Sequence, residues 1–146
     1  MSNHNSITGG CACGSIRYRI EGEPILAVKC HCRECQRASG GGYAAVLVAW
    51  KADFELELGE PAYYAIDSEN PYYLHRGFCS DCGSPVIMKR PERPKLAYVY
   101  AGSLDTPEHY SPTMEIFTEE AHSWDRMDDE LDKFAGMPPV PDDFGR

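Results

Sequence analysis

Hydrophobic and polar positions alternate along much of the chain with a period of two. In "GSIRYRIE", residues 14–21, Ile16, Tyr18 and Ile20 fall on one side and Ser15, Arg17 and Arg19 on the other, the pattern of a half-buried strand. "FELELG" at 54–59 alternates again and stops at Gly59. "YAAVLVAW" at 43–50 is apolar throughout and has the length of a buried strand. "PAYYAI", "YYLHRGF", "SPVIMKR" and "LAYVYAGSL" are rich in aromatic and β-branched residues and bounded by Gly, Pro, Asn or Asp. Helical patterning is scarce. It predicts one turn after Arg33 in "RECQRAS" and a short helix over 126–136, "RMDDELDKFAG", ended by Gly136. The chain is therefore expected to be mainly β with little helix, and to end in an irregular, proline-rich tail at 137–146. It has no internal repeat and no linker, and its length fits a single domain over 1–146.

Charge narrows the function classes. Asp and Glu outnumber Lys and Arg 23 to 14, for a net charge of −9. Sequence-independent binding to nucleic acid relies on Lys and Arg replacing counterions, so the balance argues against a zinc-ribbon nucleic-acid binder. A small anionic ligand held by a few local arginines remains compatible with it. No run approaches the roughly 18 apolar residues of a membrane span. The N-terminal "MSNHNSITGG" lacks the basic start and apolar run of a secretory signal. The expectation is a cytoplasmic protein with neither nucleic acid nor membrane as partner.

Seven cysteines in a reducing compartment need a reason. An odd number cannot pair fully within one chain, and cytosolic thiols stay reduced. The cysteines fall into three groups: Cys11 and Cys13; Cys30, Cys32 and Cys35; Cys79 and Cys82. Close pairs of this kind read as metal sites. On an extended strand Cys11 and Cys13 would share a face. "CSDCGS" has the form of a zinc knuckle, with Gly83 able to take a positive φ. The two pairs together supply four thiolates, the usual closed structural zinc site; the alternative is that one pair is merely buried and reduced. Cys30 and Cys32 would share a strand face while Cys35 returns around a turn. These three make the base of a second zinc site with an exchangeable fourth position, the pattern of catalytic zinc. His31 would point away from its neighbours' sulfurs. His75, His109 or His122 could instead close the site.

Other nearby residues carry two readings each. Arg33, Arg37 and Arg76 are candidate cations for a substrate, or ordinary surface arginines. Gln36 and Ser39 either donate to the sulfurs or a substrate, or close the turn. "SGGGY" is a rim that admits a ligand closely, or a loop before a strand. Trp124, Tyr63, Tyr64, Tyr72 and Tyr73 could line a pocket, but core packing is the first expectation for them.

"GGCACGSIRY", "CHCRECQRASG" and "FCSDCGSPV", in that order over residues 9–86, resemble the glutathione-dependent formaldehyde-activating enzyme family, which includes centromere-protein-V-like proteins. "YAGSLD" and the Trp124 segment look similar too, and all seven cysteines match. The resemblance implies an Mss4-like β-tent of antiparallel sheets. It implies a structural zinc at Cys11, Cys13, Cys79 and Cys82, and a more labile zinc at Cys30, Cys32 and Cys35. Its implied partners are glutathione and formaldehyde. One departure stands out: many members carry a histidine where "TMEIF" has Glu115.

The chemistry of three thiolates points the same way. Zinc deprotonates a coordinating thiol outright and could present the thiolate to a small aldehyde. Three thiolates against the +2 ion leave −1, and a fourth makes −2, so the last ligand is held less firmly and nearby cations help. Two function classes follow. One is a zinc-dependent carbon–sulfur lyase, or thiol–aldehyde adduct enzyme, resembling S-(hydroxymethyl)glutathione synthase, with Cys30, Cys32 and Cys35 at the reacting centre. The other is a non-catalytic, two-zinc protein-interaction module.

Overall fold

Alternating sequence becomes paired strand wherever one face can be buried. A computed structural model describes residues 6–65 and 74–144, apart from the Asp142 side chain. In chain order it contains β1 (Ile7–Gly10), β2 (Arg17–Ile20), β3 (Leu26–Cys30), α1 (Arg33–Ser39), β4 (Ala44–Trp50), β5 (Phe54–Leu58) and β6 (Ala62–Ala65). These are followed by β7 (His75–Phe78), β8 (Pro85–Lys89), β9 (Leu96–Tyr100), β10 (Met114–Ile116) and β11 (Asp132–Lys133). The expected mainly β fold with little helix is observed. Tyr72 and Tyr73 lie outside the described residues.

The strands form two sheets. A small one runs β1-β2-β5; a large one runs β11-β10-β3-β4-β9-β8-β7-β6. Pairing is antiparallel except around β10, which is parallel to both β3 and β11. The central strand β4 is buried on both faces: Val46, Leu47, Val48 and Ala49 are all at most 5% exposed. That is why its sequence is apolar without alternation. The same explanation covers β3, whose "LAVKC" offers no period-two signal.

The parity of side chains divides the interior in two. On one face of the large sheet Ala27, Leu47, Ala49, Ile87 and Val99 pack against Ile7, Ile16, Tyr18 and Ile20 of the β1–β2 side. On the other face Val28, Cys30, Val46, Val48, Met88, Tyr98 and Tyr100 form a second core. Each fully buried aliphatic side chain contributes about 1.5–3 kcal/mol, so both layers are strongly stabilising. The two cysteine groups divide between these layers: Cys11 and Cys79 belong to the first, Cys30 and Cys35 to the second.

The expected helix over 126–136 is not formed. Asp132–Lys133 instead adds as a strand beside Met114–Glu115. Phe134 N–H donates to the Glu115 carbonyl, and Asp128 N–H to the Glu115 carboxylate. Pairing to a sheet edge has overridden local helix preference. Beyond it, the described part of the proline-rich tail ends in a 3-10 turn at Asp142–Phe144 and has a seat: Phe144 meets Trp50 edge-on at 5.9 Å.

Candidate functional site

The first cysteine group is built by two turns of similar design. Cys11 follows β1, and Cys13 sits in a turn rather than on the extended strand expected from C-x-C spacing. Gly14 N–H donates to the Cys11 carbonyl, and Gly83 N–H to the Cys79 carbonyl. Both glycines adopt positive φ, 81° and 78°, which side-chain-bearing residues rarely do. Each turn ends in Cys-Gly-Ser, and each serine hydroxyl lies 3.2 Å from the preceding cysteine sulfur. Ser84 Oγ also accepts from Ala12 N–H and so ties the turns together.

The four sulfurs all lie within 4.8 Å of one another. Cys11 and Cys13 Sγ are 3.6 Å apart, and Cys13 and Cys79 Sγ 3.7 Å. A tetrahedral zinc with bonds of about 2.3 Å needs sulfurs about 3.8 Å apart, so the donor set fits the ion as it stands. In the absence of metal the thiols are unequal. Hydrogen bonds from Ser84 and the Cys13 backbone hold Cys82 down to about 5. The Cys82 N–H lowers Cys79, but burial and the Cys11 and Cys82 sulfurs outweigh it and push Cys79 up to about 11.

The second group comes from one continuous stretch. β3 ends at Cys30. Cys32 is the extended residue that caps α1, its sulfur accepting from Cys35 N–H at 3.3 Å. Cys35 lies in the first turn of α1, so the helix start swings its sulfur back toward the strand end. All three sulfurs lie within 4.8 Å of one another. Among the described residues no histidine or carboxylate joins them, which sets aside His75, His109 and His122 as fourth ligands. The trio thus fits a metal ion on one side only.

His31 points the other way. It is fully buried, its Nε2 3.0 Å from Glu115 Oε1. Its Nδ1 lies 3.0 Å from Asp125 Oδ2, close enough for an ion pair but not aligned for a hydrogen bond. Glu115 also faces Lys133 Nζ at 3.3 Å. On β10 Glu115 alternates with Met114 and Ile116, so it projects from the opposite face to theirs. Glu115 thus anchors the strand behind the cysteines. Gln36 serves the same scaffold, donating to the His31 and Glu120 carbonyls. Ser39 closes the turn by donating to the Tyr43 carbonyl. Neither residue is hydrogen-bonded to a sulfur.

The open side of the trio faces a cavity of about 570 Å³ lined by Cys30, Cys32 and Cys35. Its floor is one face of the large sheet. Arg76 on β7 stands opposite Met88 in register, Met88 opposite Tyr98, and Val28 opposite Val46 and Met114. All six line the cavity. The tail supplies a wall through Met137, Val140 and Phe144.

Of the three candidate arginines, Arg76 is the one placed at the trio. It is 7% exposed, not a surface residue. Its Nη2 donates to Cys35 Sγ at 3.5 Å and its Nη1 to the Tyr100 hydroxyl at 2.8 Å. Its Nε is buried without a hydrogen-bond partner. Burial works against its charge, but Cys35 and Tyr100 more than offset this and hold the guanidinium firmly protonated. Cys35 is in turn held well below the ordinary thiol range, first by hydrogen bonds from Cys30 and Cys32 and then by Arg76. Arg33 lines the cavity from its exposed edge and is bonded to Gln36 and His122. Arg37 is exposed and does not line it.

The aromatic residues depart from expectation. Trp124 and Tyr64 are each 67% exposed and Tyr63 37%, so none is core, and none lines the cavity. The cavity is lined instead by Tyr98 and the tail, and Tyr100 acts on it only through Arg76. Tyr98 and Tyr100 share β9 parity, a signal that was present; the seat of the tail left no trace in sequence. The "SGGGY" glycines Gly41 and Gly42 line a separate, more open cavity beside Cys11.

Comparison with known proteins agrees with this architecture. The family described as glutathione-dependent formaldehyde-activating enzyme matches residues 6–120. A Halomonas elongata protein provisionally named a glutathione-dependent formaldehyde-activating enzyme is 28% identical over 141 residues, covering 90% of this chain and 88% of that protein. A crystal structure of a Rhodobacter sphaeroides protein superposes with a TM-score of 0.54 at 22% identity, over 67% of this chain and 87% of that one. The chain belongs to the glutathione-dependent formaldehyde-activating enzyme family.

Proposed function

We propose that this member of the family joins a small thiol to a small aldehyde and catalyses the reverse carbon–sulfur cleavage, with glutathione and formaldehyde as the pair its family name indicates. In this reading the chain is one cytoplasmic domain. Cys11, Cys13, Cys79 and Cys82 hold a structural zinc; Cys30, Cys32 and Cys35 hold a labile, catalytic one. Zinc bound to the trio would supply the acidity that turns an incoming thiol into a thiolate near neutral pH.

The remaining work falls to the chain. The three cysteines fix the open position toward the cavity, and the sheet face and tail wall it. Arg76 offsets the negative charge that accumulates when a further thiolate arrives, in surroundings where charge interactions are stronger than in water. In synthesis the thiol sulfur bonds to the carbonyl carbon and the carbon–oxygen π bond breaks. The proton lost by the thiol ends on the new hydroxyl. Cleavage returns that proton and breaks the sulfur–carbon bond, with no net oxidation.

One observation carries the reading: the incomplete cysteine group opens into a half-open cavity beside a buried arginine. The test is a titration of cobalt-substituted protein with glutathione, with metal release followed in parallel. Glutathione should change the thiolate-to-metal bands without releasing metal, and the change should vanish in Cys32→Ser. A flat spectrum with no release at millimolar thiol would mean a closed site and a two-zinc binding module.

A further inference from the structure

A tripeptide thiol such as glutathione accounts for the volume of the cavity, but neither it nor formaldehyde accounts for the largely apolar lining. Formaldehyde is little larger than a water molecule, whose share of liquid volume is about 30 Å³. The cavity measures about 570 Å³, inside the roughly 300–1,000 Å³ range of pockets that enclose drug-sized ligands. Its charged lining residues are Arg76 beside the sulfurs, Arg33 and Glu34 from the helix turn that carries Cys35, and Arg90, Arg93, Glu119 and Glu120. Much of the rest is aliphatic and thioether, with Val28, Val48, Leu74, Met88, Met114 and Ile116 from the sheet side and Met137 and Val140 from the tail.

We propose that this cavity takes a thiol conjugate whose sulfur carries an apolar group of several carbons, the adduct of a longer aldehyde or a similar S-substituted thiol. The proposal rests on the functional reading above, in that the sulfur is placed at the cysteine trio. The charged lining residues, Arg33 and Arg90 among them, serve the peptide part of the thiol, and the apolar lining serves the group on sulfur. A formaldehyde adduct leaves that apolar lining uncovered. Its two methionines at Met88 and Met114 suit chains of varied shape, because unbranched thioethers fill irregular gaps.

The test is calorimetric titration of the zinc-loaded protein with S-methyl-, S-butyl-, S-hexyl- and S-octylglutathione. Affinity should rise by up to about fourfold per added methylene until the cavity is full, the increment expected for burying one CH₂. Met137→Ser and Val140→Ser alter the tail without touching a sheet strand, and each should flatten that rise. Equal affinity across the series, or failure of S-hexylglutathione to bind, overturns the proposal. So does a rise left unchanged by both tail substitutions, which would put the alkyl group elsewhere. The cobalt titration with glutathione reports separately on the functional reading. A flat cobalt spectrum with a steep alkyl series would sink that reading and keep the apolar site; the opposite pair of results would do the reverse.

Discussion

The two cysteine groups lie in opposite layers of the same sheet and invert the expected relation between completeness and shelter. The four-cysteine group is complete, yet Cys13 and Cys82 are exposed. The three-cysteine group is incomplete, yet Cys30 and Cys35 are buried and Cys32 half-buried. A full tetrahedron of thiolates asks nothing of its surroundings, so two surface turns suffice to build it. An exchangeable position is useful only where the protein decides what reaches it. The trio is accordingly set at the end of a central strand, under a helix and beside a cavity. Sequence separation differs in the same sense. The tetrad joins turns separated by most of the chain's strands and so clamps the fold, whereas the trio closes within six residues and clamps almost nothing.

This contrast fails if the two groups respond alike to losing one sulfur, and that comparison carries the largest expected effect. Cys79→Ser should leave little folded protein at room temperature. Zinc bound at a structural site contributes about 10–16 kcal/mol of apparent folding energy, which matches or exceeds the roughly 5–15 kcal/mol net stability of a typical domain. Cys35→Ser should melt cooperatively and only moderately lower. Parallel thermal melts decide it; equal collapse of both variants would make the trio structural.

The role of Arg76 gives the next effect. Arg76→Leu removes one partner of a buried pair, which should cost about 3–5 kcal/mol of folding stability, so binding is read on protein shown by circular dichroism to be folded. The substitution should weaken glutathione binding to cobalt-substituted protein about tenfold or more. Arg76→Lys should not restore it, because one ammonium cannot serve Cys35, Met88 and Tyr100 together as the guanidinium does. Unchanged affinity in both variants would remove the arginine from the account.

The smallest effect belongs to the tetrad's side of the molecule. Asp105 accepts from Arg17 Nη1 at 2.9 Å and from Thr8 Oγ1 at 2.7 Å. The Arg17 hydrogen bonds, then that from Thr8, hold the Asp105 carboxyl down to about 2. Its unfolded value is about 3.9, so the folded state binds this proton less readily and the pair stabilises the fold above pH 4. That contribution fades as pH falls through about 2. Both side chains are more than a third exposed, which limits the gain to about 1 kcal/mol or less. Asp105→Asn should lower the urea midpoint slightly and by a constant amount from pH 7 to about 5. The gap should narrow only below pH 4; a gap that widens there would contradict the assignment.

Much of the site was legible because metal ligation constrains sequence locally. The knuckle in "CSDCGS" and the C-x-C-x-x-C run state their own geometry, and the alternation in β2 marked Ile16, Tyr18 and Ile20 as buried, whereas the turn at Cys13 was hidden behind a spacing that also suits a strand. What was not legible depends on partners distant in sequence. Nothing near Arg76 signals that β8 and β9 will place Met88 and Tyr100 around it. Nothing in "RMDDELDKFAG" signals that the β10 edge will claim it as a strand. Leu56 and Leu58 show the converse failure: their alternation in β5 is regular, yet they are 36% and 55% exposed, because the small sheet ends there and, among the described residues, no layer covers them.

The central claim is that one metal is held by four thiolates and another by three plus an exchangeable position. Zinc counting during chelator competition tests it most directly. Gently purified protein should carry close to two zinc ions per chain and release them in two phases. The fast phase should be absent from Cys35→Ser, which should retain one slowly released ion. A single zinc leaving in a single phase would contradict the account.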